Sequence, residues 1–467
     1  MSTPARRRRL PAPLALALVT TLLGSTALAT TLTVAPDGSQ VTPVEQYRAD
    51  ALERIGTRAS ALEEEASLQG LTHVKHFPMP KIPEGAGADQ GTDIEFYSPM
   101  VARRLPNGKP APGGPKERRD FAIVGAYDRG AFIYDITDPE NTRFVRQIVC
   151  AQRQNDIQIK QFGQRWVVML SNDRSGTLCA GEKNIGPAGE RGGAAVFDVT
   201  DPYAPKAMYN LRVVDGVHNW TWHPTAPIGW VSTGDLPGGI DHLPVYDFTD
   251  VDNPRLVSDK GTEGGPHDIT FSADGKTGYV ASENNVRVYD TTDPKDPRLT
   301  FRGPTIASYV HGADPTPDGK TLLVTDESLV LGGFFAARTA VCPGGGITLF
   351  DTRTPGVLRP LSYLVADIQG QSPDHRACTA HVGRFTPDSK HYVTGWYLGG
   401  VRLFDISNPS SPREVGHAMM PGSEVWSAKF HKGQYVYTGD LGRGFDVYRV
   451  DDAIKLGTPP VTRPGRR

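Results

Sequence analysis

The chain has 467 residues, 38% hydrophobic and 22% charged, which is the composition of a folded globular protein and excludes a mainly disordered one. With 50 Lys and Arg against 52 Asp and Glu the formal charge is −2, so no general positive field exists to hold nucleic acid, and that partner is excluded. The 51 Gly and 39 Pro, spread without a collagen-like period, favour many short strands joined by tight turns.

The first element in chain order is an address. Arg6 to Arg9 precede an apolar run from Leu14 to Leu23 and the small-residue site Ala27-Leu28-Ala29. This pattern reads as a secretory signal peptide over residues 1–29, cut near Ala29, with the general and twin-arginine routes both open. The run is shorter than the roughly 20 residues a spanning helix needs, so a secreted protein without a membrane span is expected. Residues 30–70 read as a linker and a short helix, with Val44, Tyr47, Leu52, Ile55 and Leu62 near helical spacing.

From residue 71 to 450 the chain repeats itself. The clearest unit starts at His267 and holds four β-rich runs, HDITFS, TGYVAS, NVRVYDT and RLTFRG, separated by turn sequences. Its third run ends in aromatic-Asp-Thr-Thr-Asp-Pro, and related endings recur at Pro139, Pro202, Asp250, Pro355 and Pro409, with a degenerate copy at Val450. Asp, Thr and Asn bond nearby backbone amides and Pro fixes φ, so the chain reverses cheaply into an outer strand. Seven copies predict seven four-stranded meanders. Such sheets bury their faces only by stacking, and radial closure protects their edges, so an all-β, seven-bladed propeller is expected. LTHVKHFPM, Leu71 to Met79, resembles the outer strand REVGHAMM, while the last copy stops after its third strand. The N-terminal segment is therefore expected to supply the missing outer strand and close the ring. Residues 451–467 read as a disordered tail.

The copies resemble LVIVD repeats, whose third strand ends in apolar-Asp-[ST]-[DN]-Pro, here Phe132 to Pro139, Val196 to Pro202, Val286 to Pro294 and Val401 to Pro409. The resemblance implies a propeller and carries no shared catalytic motif.

Long insertions fall on one face, termed upper: Asn172 to Gly193, Gly234 to Leu243 and Glu327 to Gly346. Long loops on a rigid scaffold are where binding residues gather. The four cysteines fall on the same face, and their places in the repeat predict the disulfides Cys150–Cys179 and Cys342–Cys378. Alignment of the inner strands puts Thr92, Asn155, His218, His267, His311, His381 and Trp426 at one register position at the upper end of the channel. The second strands end nearby in Asp173, Asp235, Glu283, Asp326, Glu327 and Asp440. Two readings compete. In one, the chain is a binding or interaction module whose mouth holds a small molecule or a partner's loop, using Asn155, Trp426, Asp235 and Asp440. In the other it is a metal-dependent oxidase or hydrolase, holding one copper or zinc ion through His218, His267, His311 and His381 with Glu283 and Asp326. No nucleophile elbow, zinc-protease helix or phosphate loop is present to decide between them. A monomer is expected.

Overall fold

The computed structural model describes residues 60–61, 66–79, 90–104, 113–150, 152–176, 178–188, 192–233, 242–262, 265–282, 285–303, 309–327, 340–372, 378–431 and 433–456. The expected signal peptide and almost all of the expected helix lie outside them. Of the latter segment Ser60–Ala61 and Ser67–Gln69 are described, and both are extended strand.

Among the described residues seven antiparallel meanders follow one another along the chain, with two smaller sheets of three and two strands beside them. Their inner strands are Gly91–Tyr97, Gln152–Phe162, Asn219–Trp222, Pro266–Phe271, Val310–Pro315, Gly383–Phe385 and Val425–Phe430, numbered here as blades 1 to 7. Blade 4 shows the common plan, with Thr277–Ser282, Asn285–Asp290 and Arg298–Arg302 succeeding its inner strand outward. Strand alternation gives each sheet two apolar faces, and these meet the neighbouring sheets in seven hydrophobic clusters, one for each boundary. The cluster between blades 7 and 1 contains Tyr437 and Phe445 together with Ile94 and Val124, so the ring is closed.

The turn chemistry of the repeat acts as its sequence implies. The Asp that ends the third strand accepts the N–H of the residue two positions on in six blades: Asp135 from Thr137, Asp198 from Thr200, Asp247 from Thr249, Asp290 from Thr292, Asp351 from Arg353 and Asp405 from Ser407. Each bond starts the reversal into the outer strand.

Closure also follows the expected route. Leu71–Phe77 pairs antiparallel with Gly444–Val450, with Leu71 opposite Val450 and Phe77 opposite Phe445. The buried carboxylate of Asp446 straps the two ends of the chain together, reaching His73 Nε2 at 2.7 Å, His76 Nδ1 at 3.0 Å and Arg443 Nε at 3.0 Å. Beyond the last strand, Ile454 and Leu456 pack on the cluster between blades 6 and 7. The remainder of the expected tail, from residue 457, lies outside the described residues.

Two disulfides, Cys150–Cys179 and Cys342–Cys378, have the expected pairing. The first lies in the boundary between blades 1 and 2, the second in that between blades 5 and 6. Among the described residues no helix is long and apolar enough to cross a membrane.

Candidate functional site: the histidine arc and the channel below it

The site begins with an irregularity in the inner strands. Strict alternation would turn the register position to the same side as the residue two further on, and those residues, among them Ile94, Ile157, Trp220 and Ile269, lie in the clusters between blades. In blades 1, 2, 4, 5 and 7 the pairing slips by one residue at this point, as between Pro266 and Asp268 or Val310 and Gly312. Such a bulge re-aims the side chain it carries. His311 and His381 line the channel cavity, and the residues one and three positions below the register also face it. The backbone there is held tightly. A Cβ at Gly125 or Gly439 would collide with the register carbonyl of Asn155 or Thr92 in the next blade, which only glycine permits.

The structure brings the four histidines into one arc. Ring centroids are 4.4 Å apart for His218 and His267, 4.5 Å for His267 and His311, and 3.8 Å for His311 and His381. His267 Nδ1 lies 3.0 Å from the carbonyl oxygen of His311, and His381 Nδ1 lies 2.7 Å from that of Trp426. A carbonyl only accepts, so both Nδ1 atoms carry the proton and each Nε2 keeps its lone pair. Burial holds His267, His311 and His381 in the neutral form, with neighbouring histidines adding to the effect for His267 and His311; His381 is brought down to about 3.

A carboxylate completes the group. Ligand atoms of His267, His311 and Glu327 all lie within 4.8 Å of one another, and His381 Nε2 is 3.7 Å from Glu327 Oε1. Tyr397 donates its hydroxyl to the same oxygen at 2.7 Å, and burial and then Glu327 push the phenol well above its usual value. At the other end His218 Nδ1 is 3.3 Å from Asp173 Oδ1.

The other expected residues are placed differently. The amide of Asn155 donates to the carbonyls of Ala126 and Gln152, and Trp426 stands edge-on to His381. Asp440 is committed to a turn, accepting from Ser423 Oγ and from the N–H groups of Glu424, Gly442 and Arg443. Asp326 is buried beside Glu327 but falls outside the histidine–carboxylate group. Asp235 and Glu283 lie outside the described residues.

Below the arc the channel forms a cavity of about 280 Å³. Its wall carries Asp93, Asp156, Asn219 and Asp268 one position below the register and Glu95, Asp314, Arg384 and Lys429 three positions below. The histidines are only the first layer of this register. Continuing the same alignment by one and three residues would have found this polar wall.

No protein-family model and no curated protein sequence matches the chain. Among solved structures, the β-propeller domain of Cps50 (Swd1) from Myceliophteria thermophila is similar over 82% of this chain and 100% of that one, at 12% identity and a TM-score of 0.50. A candidate 6-phosphogluconolactonase from Bacteroides uniformis is similar over 69% of this chain and 84% of that one, at 14% identity and a TM-score of 0.47. The chain thus shares the propeller fold; at these identities the likeness says nothing of activity.

Proposed function

We propose that the chain is an exported propeller of the LVIVD-repeat type whose upper channel mouth binds one transition-metal ion, copper or zinc. His267, His311 and Glu327 are the ligands, with His381 and His218 beside them, and the chemistry is that of an oxidase or hydrolase acting on a small molecule at the mouth. One observation carries this reading: of four adjoining imidazoles, three are buried, kept neutral and gathered about a buried carboxylate. Neutral imidazole and carboxylate are the donors these metals take. The Nδ1–H bonds to backbone carbonyls orient the rings in the manner of outer-shell partners. Export is supported by the two disulfides, which persist in oxidising compartments.

The test is elemental analysis of protein from an export-competent host, purified without chelator. About one copper or zinc per chain is expected, with loss of the metal in His267→Ala/His311→Ala and a strong reduction in Glu327→Gln. Metal-free wild-type protein with an intact fold would overturn the proposal and leave the mouth as a site for a small molecule or a partner's loop.

A further inference from the structure

We infer that the channel below the histidine arc is a second site, built to hold an organic ammonium ion such as the amine end of a small linear molecule. The argument starts from charge. Five carboxyl groups line this cavity, those of Asp93, Glu95, Asp156, Asp268 and Asp314, against two cations, Lys429 and Arg384. Both cations are already engaged on one side. Lys429 Nζ lies 2.6 Å from Asp93 Oδ1 and 2.9 Å from Glu95 Oε1, while Arg384 Nη2 reaches both Glu95 oxygens at 2.9 and 3.0 Å. That quartet, from blades 6, 7 and 1, is neutral as a unit.

The other side is open. Among the described residues no Lys or Arg forms an ion pair with Asp156, Asp268 or Asp314, which come from blades 2, 4 and 5. Asp314 accepts the Tyr392 hydroxyl at 3.1 Å, and Asp268 accepts the N–H of Ile269 at 2.7 Å. Asp156 is 8% exposed and faces the cavity; its Oδ2 accepts from no donor group among the described residues, and its carboxyl lies against the like-charged carboxyl of Asp93. A buried acceptor left unmade is costly, so its presence in a cavity marks a position for a donor. Burial pushes the carboxyls of Asp156 and Asp314 upward, Asp314 to about 6, and Lys429, engaged with Asp93 and Glu95, offsets this only in part.

The shape of the cavity selects among cations. Among the described residues only the histidine–carboxylate group brings three ligand atoms together as a bare metal ion requires, so Asp156, Asp268 and Asp314 do not converge on one point. A ligand of several atoms fits better. The volume of about 280 Å³ is near the lower end of small-molecule sites, and Phe271 and Phe385 in the wall offer apolar contact for a carbon stem. An ammonium group supplies three donors and the missing positive charge.

The experiment is isothermal titration of the full-length protein at pH 8 and low salt with 1,4-diaminobutane, and in parallel with the neutral 1,4-butanediol and with calcium. The diamine is expected to bind and the diol not, with affinity at least tenfold weaker in Asp156→Asn and in Asp314→Asn. Either variant suffices if the other fails to fold. Binding should persist in His267→Ala/Glu327→Gln, at positions outside the lining of this cavity, which separates this site from the metal proposal. Absence of diamine binding, wild-type affinity in both Asn variants, or calcium binding that depends on Asp156 in place of the diamine would overturn the inference.

Discussion

The two sides of the channel wall both carry carboxylates and are finished differently. On the side of blades 6, 7 and 1, Lys429 and Arg384 close on Asp93 and Glu95, and Glu95 is held down at about 2 because the two cations outweigh its burial. On the side of blades 2, 4 and 5, Asp156 is buried and Asp268 and Asp314 are half-buried, none with an ion-pair partner among the described residues. A buried charge network that closes on itself is part of the scaffold, whereas one left open keeps free energy available for a ligand. The disulfides lie at the blade 1–2 and blade 5–6 boundaries and so bracket the open side.

The largest effect is expected where the closed side is broken. Lys429→Met strands the buried carboxylate of Asp93 and leaves Glu95 to Arg384 alone, and should cost about 3–5 kcal/mol in denaturant unfolding; a loss well under 1 kcal/mol would dissolve the distinction between the sides. Replacing Cys342 and Cys378 together by Ser should cost about 2–4 kcal/mol by the same measurement.

On the open side the sign reverses. Asp314 holds its proton up to about pH 6 when folded against a usual 3.8, so the folded state binds more protons between those values. The stability this group contributes is therefore complete below about pH 4 and is lost as pH rises through 6. Asp314→Asn should match wild type near pH 4 and be more stable by about 1–3 kcal/mol at pH 8, seen in unfolding curves at the two pH values. An Asn variant less stable than wild type at pH 8 would mean that this side is closed too. Outside the channel, Asp198→Ala removes one turn-starting bond and should cost only about 0.5–1.5 kcal/mol, a control for what a local feature of the repeat is worth.

The propeller was legible because its turns are chemical. An Asp that must bond the amide two residues on, followed by a Pro that fixes φ, leaves a mark at each reversal, and six such bonds are present. The histidines were legible as a register for the same reason. Which carboxylate meets them was not. Asp326 and Glu327 are neighbours at the end of one strand, and only the fold decides that Glu327 reaches His267 and His311. The acidic wall was hidden by the bulge. With one extra residue at the strand start, both His311 and the adjacent Gly312 line the channel, a pairing that a period of two forbids, and Asp268 lines it at the position matching Gly312.

The seventh sheet takes Leu71–Phe77 from one end of the chain and Gly444–Val450 from the other. A ribosome or a translocation pore delivers these segments far apart in time, so the earlier one has to wait, unpaired, until the later one emerges. Sealing of the ring therefore waits for Gly444–Val450 to emerge, and any premature stop before Gly444 yields an open circle with a sticky edge that quality control can recognise.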